Sequence, residues 1–191
     1  MLGNTPIATW LLYLLAVTVL AGLVVLLIIL LAKPNTQRAI RRALKKISYD
    51  SVYSVSLDLG GEHFAYFDYI AVIDGGFLVI DLKDYAGHIF AADKIDMWTQ
   101  IQNRKSYQFV NPTFELQNKI ELLKLKLQHH HITGIVVFTD HADFPKGQPD
   151  NVLLVKELRQ CFKRHHKKCA DKGLWADWLA FKKLEHLKHI K

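Results

Sequence analysis

The chain reads as an α/β protein, a mixed β-sheet flanked by helices and preceded by one N-terminal transmembrane helix. Three observations predict this. Residues from Ile7 to Ala32 carry no charge. Between Tyr53 and Lys83, three apolar or alternating runs are separated by glycine pairs, the pattern of antiparallel strands and tight turns. Beyond residue 111, helix-period segments alternate with short apolar runs, as in layered α/β folds.

The first element follows from length. Roughly 20 apolar residues cross a bilayer as a helix, and the 7–32 run is long enough to do so with some tilt. A cleaved signal peptide would need a basic start and an apolar core of roughly 7–15 residues. No basic side chain precedes Ile7. Lys33, Arg38, Arg41, Arg42, Lys45 and Lys46 follow the run, and the first acid is Asp50. Basic flanks stay inside, so the expected protein is single-pass in the cell (inner or plasma) membrane. Its N-terminus would lie outside and its soluble domain in the cytoplasm. The bilayer would be a partner through residues 7–32, and anionic headgroups through Arg38, Arg41, Arg42, Lys45 and Lys46. Cys161 and Cys169 imply no disulfide framework and suit a reducing compartment. The expected organisation is an anchor over 1–33, a basic juxtamembrane helix over 34–48 that opens the domain, and the remaining domain over 49–191.

Charge is segregated along the chain. The net +7 combines a basic block at 33–46, an acidic stretch at 47–155 with 14 acids against 8 bases, and a basic tail at 156–191. The tail is either a solvated face or a patch for a polyanion. The acidic middle cannot hold a phosphate backbone without a cation.

The remaining elements follow in order. Asn35–Ile47 places Ala39, Ile40, Ala43, Leu44 and Ile47 at helical spacing between basic residues. Tyr53–Leu59 alternates as a strand and Gly60-Gly61 breaks it. Phe64–Ile73 is the second strand, Asp74-Gly75-Gly76 the turn, and Phe77–Lys83 a strand whose continuous apolar start predicts cover on both faces. Short strands are expected at His88–Ala91 and around Trp98–Ile101. Asn111-Pro112 has the form of a helix start, and Leu116, Ile120, Leu123 and Leu127 then make one core-facing stripe. A strand at Ile132–Phe138, a polar loop at His141–Asp150, a short strand at Val152–Val155, a helix from about Glu157 and an amphipathic helix at Trp175–His189 complete the series.

Candidate chemistry gathers at the end of the third strand. Asp81 and Lys83 are two apart and share a face. A two-residue turn at Asp74-Gly75 pairs Ile73 with Gly76 and, counting outward, Asp68 with Asp81, so the two carboxylates are neighbours. Carboxylate oxygens suit Mg²⁺ or Mn²⁺, and a nearby lysine can orient water or stabilise developing negative charge. The plainer alternative is an ion pair where strands meet solvent. The run His129-His130-His131 cannot turn three rings to one metal from regular structure, and His165-His166 sits among basic residues as on a solvated helix face. Trp98 reads as packing and Glu62 as solvated.

Taken together, "FDYIAVIDGGFLVIDLKDYAGHIF", "WTQ", "YQFVNPTFELQN" and "ITGIVVF" resemble the nuclease-related domain (NERD) family over roughly residues 35–160. That family shows an Asp ending one strand, a glycine-led apolar strand ending Ile-Glu-x-Lys, then Gly-x-Ile, a Trp, and an Asn-Pro opening a helix with Gln-Asn. The resemblance implies a restriction-endonuclease-like fold of the PD-(D/E)xK class and a NERD-like domain over 49–191. It implies metal-dependent cleavage of nucleic-acid phosphodiesters, DNA ahead of RNA. By position, Asp68 and Asp81 would be ligands for Mg²⁺ or Mn²⁺, Lys83 the catalytic lysine and Gln117 an accessory polar residue; beside Leu116, Gln117 equally suits a boundary residue flanking the core stripe. The chain departs from the family at three places. Its first helix lacks the usual Gly-Glu, Tyr66 stands where Gln is common, and Asp81 replaces Glu. These departures keep open a second expectation, a non-catalytic module that binds nucleic acid or a partner protein.

Overall fold

The computed structural model describes residues 7–32, 36–60, 63–127, 130–162, 168–169, 171–183 and 188–189. Lys33, Glu62, His129 and the basic run containing His165 and His166 lie outside the described residues. The chain divides into two compact units, Met1–Asn35 and Thr36–Lys191.

In the first unit, α1 (Ile7–Ala32) is one continuous helix, with side chains described from Trp10 to Leu26. The expectation of a transmembrane helix is corrected here. Among the described residues, no helix is long and apolar enough to cross a membrane. This argues against the expected single-pass topology.

The second unit holds, in chain order, α2 (Thr36–Ile47), β1 (Asp50–Gly60), β2 (His63–Ile73), β3 (Gly76–Lys83), β4 (Gly87–Phe90), β5 (Met97–Gln102), β6 (Lys105–Val110), α3 (Pro112–Lys124), β7 (His131–Phe138), β8 (Ala142–Asp143), β9 (Val152–Leu154), α4 (Leu158–Cys161), α5 (Lys172–Lys182) and β10 (Lys188–His189). Six strands form the main sheet in the order β10-β1-β2-β3-β7-β9, and four form a smaller sheet, β6-β5-β4-β8. The β1-β2-β3 meander is antiparallel, while β3, β7 and β9 run parallel. This is the expected mixed α/β architecture, with a second sheet added.

Both faces of the main sheet are covered. On one, Ile40, Ala43, Leu44 and Ile47 of α2 and Leu158 of α4 pack on Tyr69, Ala71, Leu78, Ile80, Ile135 and Val137. On the other, the α3 stripe and Leu174, Trp178 and Phe181 of α5 pack on Ile70, Val72, Phe77, Val79 and Val136. Burial from two sides is why Phe77–Ile80 is uninterruptedly apolar. Gly76 permits the β3–β7 approach: a Cβ there would lie 2.1 Å from the His131 carbonyl oxygen.

Three boundaries differ from expectation for local reasons. β6 was not expected. It pairs with β5 across Asn103-Arg104, both at positive φ, a mirror-image two-residue turn without the glycine that announces one. α5 starts at Lys172 rather than Trp175 because the Asp171 carboxylate caps it, accepting from the Leu174 N–H. It stops at Lys182, and Lys188–His189 pairs as an edge strand with β1 instead of continuing the helix to His189.

Candidate functional site

The site begins with a break in a strand pair. Val52, Val55 and Leu57 of β1 all face the same core, as do Ala65, Phe67, Ile70 and Val72 of β2. Strict alternation forbids both sets, so each strand shifts phase within the segment. The register pairs Tyr53 with Tyr69 and Val55 with Phe67, which puts Ser54 opposite Asp68. Ser54 holds φ at 50°, a left-handed conformation unusual for a non-glycine. β2 then leaves β3: their last ladder pair is Tyr69 with Ile80, whereas β3 stays paired with β7 through Lys83. Asp68 stands at the resulting fork. Its Oδ2 accepts the Leu82 N–H at 2.8 Å, taking the place of a ladder bond.

Asp81 projects into the fork and is 2% exposed. Its Oδ1 accepts from Lys119 Nζ at 2.7 Å, and its Oδ2 lies 2.8 Å from Lys83 Nζ. The second contact is an ion pair, and it helps to hold the Lys83 pKa up. Both lysines also reach Glu115, Lys83 at 3.0 Å and Lys119 at 2.9 Å. Asp81, Lys83, Glu115 and Lys119 therefore close a ring of alternating charge.

Helix α3 is docked to make that ring. The Asn111 side chain caps it, accepting from the Thr113 N–H at 3.0 Å and donating to the Ile95 carbonyl at 3.0 Å. Leu116, Ile120 and Leu123 face the core. Gly134 on β7 lets α3 come close, because a Cβ there would lie 2.3 Å from Ile120 Cδ1 and 3.1 Å from Leu116. Glu115 and Lys119, each one residue before a stripe position, then flank the core on the Asp81 side.

Burial and charge set the protonation states. Burial raises the Asp68 pKa above its usual value; the Leu82 N–H opposes this, and the Asp81 charge adds to it. Burial works to lower the Lys83 and Lys119 pKa values, but Asp81 and Glu115 together outweigh it and both end raised. Both lysines are therefore ammonium ions at neutral pH. For Glu115, burial is outweighed by Lys119 and Lys83, and its pKa is lowered.

The structure thus brings Asp68, Asp81 and Lys83 together. It does not bring Gln117 to them: Gln117 is exposed on α3 and donates to Glu121 Oε1 at 2.8 Å. Glu115 and Lys119 were missed by sequence reasoning. Their signal was an i,i+4 acid–base pair shifted one residue from the apolar stripe. Tyr66 is 56% exposed, and Trp98 is fully buried with its Nε1–H donated to the Ala92 carbonyl. His130 pairs with Asp177 at 2.7 Å and meets the Phe77 ring edge-on, while His131 is exposed on β7. Among the described residues, no three His, Cys, Asp or Glu side chains are grouped to hold a metal by themselves. Of the basic residues expected to meet headgroups, Arg41 lies over the Tyr53 ring, 3.7 Å from its centroid, and Arg42 Nε donates to the Arg38 carbonyl.

Fold and site define an α/β protein whose central sheet forks around acidic and lysine side chains. The nuclease-related domain model matches residues 34–139, and the chain belongs to the nuclease-related domain (NERD) family. An uncharacterized protein of Bacillus anthracis is 26% identical over 137 residues, which cover 68% of this chain and 65% of that protein. The chain therefore spans just under two thirds of that relative's length.

Proposed function

We propose that this protein is a metal-dependent nuclease that hydrolyses nucleic-acid phosphodiesters through Asp68, Asp81 and Lys83. The observation that carries the reading is their convergence at the β2–β3 fork, where Asp68 accepts the Leu82 N–H and the buried Asp81 carboxylate faces Lys83. The residues present fit Mg²⁺ or Mn²⁺. Such ions take one or two carboxylates and leave their other positions to water and substrate phosphate. Asp68 and Asp81 would hold the ion, and burial beside a second acid favours a cation there. The ion would supply Lewis-acid charge at a phosphoryl oxygen and activate water. Lys83, held as an ammonium by Asp81 and Glu115, stabilises negative charge developing on the scissile phosphate and does not itself take a proton from water. Leu82, through its backbone N–H, fixes the Asp68 carboxylate in position.

One observation favours a second reading, a NERD module that binds nucleic acid or a partner protein without cleaving. The ring of Asp81, Lys83, Glu115 and Lys119 balances its own charges without a metal. Incubating the full-length chain with DNA and with RNA, in Mg²⁺, Mn²⁺ or EDTA, separates the two. The nuclease reading expects cleavage that EDTA abolishes; binding to nucleic acid with no cleavage under any condition supports the module.

A further inference from the structure

Lys119 sits where a cation bridging Asp81 and Glu115 would sit. Its Nζ is 2.7 Å from Asp81 Oδ1 and 2.9 Å from Glu115 Oε1, so one ammonium joins a sheet carboxylate to a helix carboxylate. Asp81 is buried, and Lys119 is 16% exposed on its side chain. Lys83 holds the other oxygens of the same two carboxylates. The first helix offers no acid: α2 reads TQRAIRRALKKI. Glu115 is the acid that comes to the fork instead, and it is 53% exposed on its side chain, so the ring opens toward solvent on that side.

We propose that Lys119 is a built-in competitor for the divalent cation, and that Glu115 joins Asp81 as a ligand once Lys119 is displaced. The inference rests on the metal-dependent reading above. It reverses the usual expectation for a lysine in a nuclease site, since removing Lys119 strengthens metal binding. Two like charges cannot share one position between the same carboxylates, so metal entry and Lys119 release are one event. The released ammonium remains beside the fork, where a phosphate of the substrate is its natural new partner.

The test is calorimetric titration of the full-length chain with Mn²⁺ alone. Lys119→Met keeps the aliphatic stem and removes the charge; Lys119→Gln repeats the test with a polar side chain in case the first variant misfolds. Lys124→Met, on the exposed side of the same helix, is the control, and circular dichroism checks each fold. The expected result is Mn²⁺ affinity about tenfold tighter in the Lys119 variants, the size of one pKa unit of charge competition. Glu115→Gln is expected to bind more weakly than wild type, and Lys124→Met equally. Wild-type binding that Asp81→Asn removes, but that the Lys119 variants leave unchanged or weakened, overturns the competitor role while leaving the metal reading intact. Unchanged affinity in Glu115→Gln overturns its role as ligand. No Mn²⁺ binding by any form removes the metal reading itself, and this inference with it.

Discussion

Asp81 is buried and has its two oxygens facing two lysines. Neutralising it leaves both ammonium groups with Glu115 as their remaining anion in the ring. Asp81→Asn should therefore cost about 2–3 kcal/mol, less than the roughly 3–5 kcal/mol of a fully buried pair because the lysines keep some exposure. Urea unfolding measures this, and a cost under about 0.5 kcal/mol would mean that the ring is not holding the fork. Asp50 gives a pH prediction away from the site. Burial works to raise its pKa, but bonds from Lys182 and the Trp178 indole N–H prevail and it ends below its usual 3.8. A lowered carboxylate stabilises the fold above its unfolded value, and that contribution is lost as pH falls through the folded value. Asp50→Ala should thus cost about 1–3 kcal/mol at pH 7, where it also strands a buried indole N–H. The gap to wild type should narrow as pH falls below 3.8, and a gap independent of pH would contradict the assignment.

Close packing of α3 on β7 sets the position of Glu115 and Lys119, and Gly134 is the contact that allows it. Gly134→Ala should cost about 1–3 kcal/mol by overpacking against Ile120 and Leu116. Thermal unfolding reads that cost; an unchanged melting temperature would show that α3 shifts freely and that the ring geometry is loose. Elements differed in how legible they were. The Asp68–Asp81 juxtaposition could be counted from sequence because a two-residue turn fixes hairpin register, and the observed pairs Ile73–Gly76 through Tyr69–Ile80 keep that count. The Asn111 cap was legible from residue type alone. The strand break at Ser54 was not, because serine gives no notice of a positive φ. Nor was the choice of Glu115 and Lys119 over Gln117: all three flank the apolar stripe, and only the docking angle of α3 decides which side meets the fork. β6 was invisible because Asn103-Arg104 makes a glycine turn's geometry without glycine.

For the whole molecule, the apolar run at the N-terminus gave the strongest sequence signal and the least useful one. Continuous hydropathy names a segment's preference for apolar surroundings, yet no described helix meets the length and hydropathy of a span. The NERD series, spread over many weak pieces, was the better guide because turn chemistry and strand-end charges constrain one another. Thr36–Lys191 carries both hydrophobic clusters within itself. Expressed without residues 1–35, it should unfold in one cooperative transition by circular dichroism; a broad, non-cooperative melt would show that the first unit completes it. The central claim is that the fork of Asp68, Asp81 and Lys83 hydrolyses phosphodiesters with a divalent ion. The most direct measurement is the rate of DNA and RNA cleavage by the full-length chain in Mn²⁺, compared with Lys83→Met at matched folding. Losing a preorganised positive charge at the reacting phosphate should lower the rate by about 10²–10³-fold. Cleavage by Lys83→Met at the wild-type rate, or cleavage that persists in EDTA, would contradict the account.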